Sequence, residues 1–126
     1  MQNLIFTNDV LPAITRLANG GDHNLTVWIA DVNTARLINP APPRLITIPD
    51  GDDNKTLGSV SRVWDEMERM GVTRRSLVIN LGGGMVTDLG GFAAATFKRG
   101  VRFINVPTTL LGAVYVTVYI FPNTAV

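Results

Sequence analysis

The residues with the clearest chemical potential lie in one run, Gly82-Gly83-Gly84-Met85-Val86-Thr87-Asp88, set between the apolar stretch Leu77 to Leu81 and a helix predicted from about Thr87 to Phe97. Without a β-carbon, glycine admits positive φ and lets a bound group approach the main chain closely. The first turn of the following helix presents unpaired N–H groups and the positive end of its dipole. A pyrophosphate would be stabilised there. A tight strand-to-helix turn with no ligand uses the same residues, and a glycine triplet alone does not separate the two readings. Asp88 shares this ambiguity, because a carboxylate in a first helical turn is favourable by roughly 0.3–1 kcal/mol without any ligand.

Other polar groups cluster less tightly. Thr108 and Thr109 follow Pro107 at a strand's end, where hydroxyls donate to and accept from a polar ligand without adding charge, or close an ST-turn. Arg99, between Lys98 and Gly100, offers the planar guanidinium fork that suits carboxylate or phosphate; with Lys98 and Arg102 it equally forms a solvated basic helix end. His23 is the sole histidine and falls in the polar stretch Asn19 to Asn24, which reads as a loop. Trp28 and Trp64 read as core.

These residues need a scaffold, and the patterning supplies one. Short apolar runs alternate with amphipathic ones: Leu4 to Phe6, Val10 to Leu17, Leu25 to Ala30, a short piece near Ala35 to Leu37, then Leu45 to Ile48. Leu57 to Met70 is the strongest predicted helix, with Val60, Val63, Trp64 and Met67 on one stripe and Gly71 as its stop. Leu77 to Leu81, with nearly no polar interruption, has the character of a parallel strand covered on both faces, and Val101 to Val106 is a further strand. The expected class is α/β, an open, mostly parallel, doubly wound Rossmann-like sheet with helices on both faces.

Composition narrows the function. The 126 residues carry 11 basic and 10 acidic side chains, a net charge of +1, so no nucleic-acid or anionic-membrane partner is expected. The start lacks the basic and apolar regions of a secretory signal, and the apolar run Leu110 to Pro122 falls short of the ~20 residues of a membrane span. Cys is absent, which excludes disulfides and thiolate metal sites. A cytoplasmic protein with a small-molecule ligand is expected.

The thirty-residue run GGGMVTDLGGFAAATFKRGVRFINVPTTLL, residues 82–111, closely resembles the signature of 3-dehydroquinate synthases, with the glycine triplet, the aspartate, FAAAT, a basic-Arg-Gly turn and Pro-Thr-Thr-Leu-Leu at that family's spacing. Upstream, Asp31-Val32-Asn33 resembles the family's adenosine-side contact, and Gly51-Asp52-Asp53-Asn54-Lys55 resembles its Gly-Glu-x-x-Lys, with Asp52 replacing Glu. The resemblance covers most of residues 25–114. It implies an NAD-binding domain over residues 1–111 in which Asp31, Asn33, Asp52, Lys55, Gly82, Gly83, Gly84, Asp88, Thr108 and Thr109 meet the dinucleotide and Arg99 meets an anionic substrate. Physically, Asp31 at a strand's carboxyl end suits two ribose hydroxyls, or a helix N-cap. Asp52 and Lys55 also fit a solvated capping turn, and Asp for Glu shortens the reach.

Beyond about residue 114 the resemblance stops. The family continues with an Asp, a Gly-Gly-Lys-Thr-Gly turn, and a Glu and two His that hold zinc (or cobalt); here Tyr115 and Phe121 fall at the Asp and Lys positions, and Tyr119 is the one later ionisable group. Residues 112–126 therefore read as a divergent apolar tail, with no catalytic or metal-ligating residue retained. The expected protein is the amino-terminal part of a phosphate-eliminating cyclase of the shikimate pathway, cut short, binding NAD without turnover. Three alternatives stand beside it. One is a related sugar-phosphate cyclase. A second is a non-catalytic NAD-binding or interaction domain whose tail packs on a partner or a second copy, as in a homodimer. A more remote one, the metal-dependent alcohol or glycerol dehydrogenases, lacks the Pro-Thr-Thr-Leu-Leu and basic-Arg-Gly turns.

Overall fold

The computed structural model describes residues 2–7, 14, 16, 23–38, 40–49, 51, 53, 55–108 and 114–119. Its strands are β1 (Gln2–Thr7), β2 (Thr26–Asp31), β3 (Leu45–Ile48), β4 (Leu77–Gly82), β5 (Arg102–Pro107) and β6 (Val114–Tyr119). Two helices, α1 (Leu57–Arg69) and α2 (Gly84–Thr96), follow β3 and β4. The strands form one sheet in the order β1-β6-β5-β4-β2-β3. Strands β3, β2, β4 and β5 are mutually parallel, β6 runs antiparallel to β5, and β1 runs antiparallel to β6. The class expected from the patterning is the class observed.

Every residue of β4 is buried, as its apolar run, interrupted by Asn80 alone, requires of a strand covered on both sides. Alternation then sorts its neighbours. Val27, Ile29, Val78 and Phe103 face a cluster with Val60, Val63 and Met67 of α1 and Met85, Val86 and Leu89 of α2. Trp28, Ile79, Leu81, Ile104 and Val106 face the opposite cluster, where Ile14, itself helical, is fully buried.

Helix α1 has the ends its sequence predicts. Thr56 caps it by accepting from the Ser59 amide at 3.1 Å. Gly71, at φ +80°, ends it, with Gly71 N donating to Glu68 O and Val72 N to Met67 O. Trp64 is half-buried and reaches across to α2, its indole nitrogen 3.2 Å from both Ala93 O and Thr96 Oγ1. Among the described residues no helix is long and apolar enough to cross a membrane.

Three details differ from the sequence reading. Helix α2 begins at Gly84 and not near Thr87, because the low intrinsic propensity of glycine is overridden by packing of Met85 and Val86 into the core. Strand β1 sits four places from β2 in the sheet, so the first two strands do not form an adjacent βαβ pair. Val114–Tyr119, assigned by sequence to a tail outside the domain, runs in the sheet between β1 and β5, its β-branched alternation matching a strand.

Candidate functional site

The carboxyl ends of the parallel strands lie along one edge, and the register fixes what meets there. Asp31 pairs with Ile48, Ala30 with Leu81, and Gly82 with Pro107. Beyond the last pair, Thr108 N donates to Gly82 O at 2.8 Å, joining the glycine turn to the Pro-Thr segment. The edge therefore gathers Asp31, Asn33, Gly82, Gly83, Gly84 and Thr108. Asp52 and Thr109 lie outside the described residues.

The three glycines have different reasons for being glycine. None has positive φ; among the described residues the glycines that do are Gly51, Gly71 and Gly100. A Cβ on Gly82 would stand 2.6 Å from Val86 Cγ2 and 2.8 Å from Val86 Cβ, so this residue is bare to let α2 close onto β4. Among the described residues, a Cβ on Gly83 or Gly84 would meet nothing within 4 Å. Gly83, the N-cap, has no side chain to satisfy the first amides of α2, and its own carbonyl accepts from Thr87 N at 3.1 Å. The result is an open helix start with unpaired donors, which favours an anion.

Asp31 is buried and carries an internal turn. Its Oδ1 accepts from Asn33 N at 2.8 Å and from Thr34 N at 2.7 Å. The Thr34 hydroxyl, which accepts from Asp31 N, lies 3.0 Å from Asp31 Oδ1 and 2.9 Å from Leu81 O. Asp31 thus closes a turn and is not itself the N-cap, since Asn33 holds that position before the short 3-10 helix Thr34–Leu37, and Thr34 ties Asp31 to the end of β4. Sequence reading missed Thr34, although the Asp-x-x-Thr spacing is the signal of such a turn.

Lys55 and Asp88 meet each other: Lys55 Nζ is 2.9 Å from Asp88 Oδ2, with both side chains largely exposed. Asp88 sits in the second turn of α2 and not the first, a consequence of the earlier helix start. Beside this pair a groove of about 320 Å³, lined by Lys55, Leu57, Val60, Asp88, Leu89 and Phe92, runs between the start of α1 and α2.

Arg99 is elsewhere. Val101 N donates to Ala94 O, and Arg102 pairs with Leu77, so Arg99 lies at the amino edge of the sheet, roughly 16 Å along the strand direction from the glycine turn. Lys98 and Arg99 have φ +47° and +68°, with Gly100 at +114°. Lys98 covers the Phe97 ring at 5.4 Å and lies 3.6 Å from Glu68. His23, half-buried, lies 3.0 Å from Thr26 Oγ1. Among the described residues no three His, Cys, Asp or Glu side chains are grouped as a metal site would need.

Comparison with known proteins supplies the relatives. A family model described as 3-dehydroquinate synthase N-terminal matches residues 45–119. A 3-dehydroquinate synthase of Parabacteroides distasonis is 51% identical over 70 residues, 56% of this chain and 20% of its own length. One from Streptococcus equi subsp. equi is 36% identical over 121 residues, 88% of this chain and 33% of its own. A crystal structure of 2-deoxy-scyllo-inosose synthase complexed with carbaglucose-6-phosphate, NAD+ and Co2+ aligns with TM-score 0.70 and 26% identity, over 82% of this chain and 31% of that one. The chain spans about a third or less of the length of these relatives.

Proposed function

The chain belongs to the 3-dehydroquinate synthase family, and from that premise we propose that its carboxyl edge holds NAD as the nucleotide-binding part of a phosphate-eliminating cyclase. The observation that carries this reading is the bare pair Gly83-Gly84 at the start of α2, where a Cβ meets nothing within 4 Å among the described residues. In this reading the pyrophosphate lies against those amides. Asp31, whose Oδ1 is committed to the turn, would offer Oδ2 to the adenosine ribose, with Asn33 beside it. Thr108 and Thr109 would take polar groups of the dinucleotide. Lys55 would approach a phosphate, and Asp52 a ribose hydroxyl; Asp88, paired with Lys55, would meet the dinucleotide beside it. NAD, when bound, supplies a reversible hydride acceptor. The described residues do not fit a zinc or cobalt ion, and the proposal gives them no metal-dependent step. Binding of NAD without turnover is the expected behaviour of this chain.

A related sugar-phosphate cyclase is the second reading, favoured by the likeness to 2-deoxy-scyllo-inosose synthase. Both readings share the same test. NAD titrated into isotopically labelled protein should move the amide resonances of Gly83, Gly84 and Thr108 while leaving those of Arg99 and Arg102 in place. A saturating titration that leaves the glycine turn unmoved rejects the site.

A further inference from the structure

Two residue choices in the interior run against their elements. Asn80 is a fully buried polar residue at the centre of β4, whose other buried side chains are apolar. Gly90 and Gly91 stand together inside α2, where each costs about 1 kcal/mol relative to Ala. The two anomalies meet. Asn80 and Asn105 are register partners on β4 and β5, and Asn80 Nδ2 donates to Asn105 Oδ1 at 2.9 Å. The other amide atom, Asn80 Oδ1, is buried with no hydrogen-bond partner among the described residues.

That oxygen points at the helix. A Cβ on Gly90 would overlap Asn80 Oδ1 and stand 2.6 Å from Asn80 Cγ, and one on Gly91 would come within 3.3 Å of the Phe103 ring. The amide oxygen thus occupies the space of the absent side chain, facing the Gly90 Cα hydrogens, an arrangement that suits a weak Cα–H···O contact. An apolar pair would fill this interior at less desolvation cost. What the amide pair adds is direction. A one-residue slip of β5 along β4 would break the Asn80–Asn105 bond and turn Asn105 into the cluster of Ile79, Leu81 and Ile104.

We propose that Asn80, Asn105 and Gly90 are positioning residues for the dinucleotide edge. The amide pair fixes the register of β4 and β5, and Gly90 fixes how deeply α2 settles onto them. Two residues further along the same face, that register places Gly82 opposite Pro107, so that Thr108 N reaches Gly82 O and the first amides of α2 stand beside it. The inference rests on the reading of this edge as a dinucleotide site, but its primary test does not.

The test is amide hydrogen exchange in Asn80→Leu, which keeps the number and branching of the side-chain heavy atoms and removes the bond. The Thr108 amide should lose protection at least tenfold more than the Val101 amide, which bonds Ala94 O at the other end of β5. Equal loss at both amides, or no loss at Thr108, overturns the proposal, since a merely structural residue would loosen the domain evenly. Should Asn80→Leu fail to fold, Asn105→Ala removes the same bond from the less buried partner and is read identically. In parallel, calorimetry with NAD should show affinity falling at least fivefold in the same variant. Absence of NAD binding to the unmutated protein would sink the dinucleotide reading while leaving the exchange ratio to decide on positioning.

Discussion

The two ends of α2 solve opposite problems. At its start, Gly82, Gly83 and Gly84 adopt backbone angles open to any residue, yet carry no side chains; at its end, Lys98 and Arg99 adopt left-handed angles natural to glycine, yet carry long side chains. Glycine at the start is therefore a matter of space and not of conformation. At the end the chain accepts a backbone cost of order 1 kcal/mol or more per residue to keep basic side chains where the helix turns back into β5. Conformational strain, often sought at a ligand turn, lies here about one strand length away from it.

Space and conformation predict different mutant behaviour, and Gly83→Val should show the largest effect. Its Cβ meets no protein atom within 4 Å among the described residues, so the fold should lose no more than about 1 kcal/mol, mostly through the poorer N-cap. NAD affinity should nevertheless fall by more than about 100-fold, roughly 2.7 kcal/mol, because the side chain fills the approach to the amides. Calorimetry paired with chemical denaturation checks this, and unchanged affinity would remove the pyrophosphate from this turn. Gly82→Ala should do the reverse. Its methyl group collides with Val86 Cγ2 and Cβ, so the denaturation midpoint should drop by the equivalent of about 1–3 kcal/mol, the range for an overpacked interior. A Gly82→Ala protein as stable as the parent would mean that α2 lifts freely off β4.

The same distinction explains what could be read from sequence. Helix α1 was legible at both ends because its cap, its stripe and its terminating glycine are local signals. So was the parallel core, since β4 has no polar interruption except Asn80. The start of α2 was not, because glycine discourages helix locally and only the burial of Met85 and Val86 pulls the first turn in. Strand β6 was lost for a related reason: Val114–Tyr119 reads from sequence as part of a divergent tail although the family match runs through residue 119, and its pairing with β1 joins segments more than a hundred residues apart. For the site, residue types were readable and mutual geometry was not. The Asp-x-x-Thr spacing signals a turn at Asp31, but nothing in the spacing announces that Lys55 pairs with Asp88 or that Arg99 stands at the opposite edge.

A smaller effect is expected for Asp88→Asn. The Lys55–Asp88 pair is more exposed than buried, so its loss should change stability by no more than about 0.5 kcal/mol. NAD affinity should fall by about three- to tenfold if the carboxylate serves the ligand, and an unchanged isotherm would leave Asp88 as a partner for Lys55 alone. Raising ionic strength separates the contributions, since an exposed pair is screened while a hydrogen bond to bound ligand is screened much less.

The subtlest test acts at the strained end. Arg99 has φ +68° and is followed by Gly100 at +114°, so Arg99→Gly removes the steric penalty of a Cβ in the left-handed region while increasing the freedom of the unfolded chain. The first change should outweigh the second, giving a net gain of about 0.5 kcal/mol, visible as a higher denaturation midpoint. NAD affinity should stay within twofold, because Arg99 lies at the amino edge, away from Gly83 and Thr108. A loss of stability would show that the guanidinium's own contacts outweigh the strain. A loss of NAD affinity with stability intact would mean that the two ends of α2 serve one site, and the contrast between them would fall.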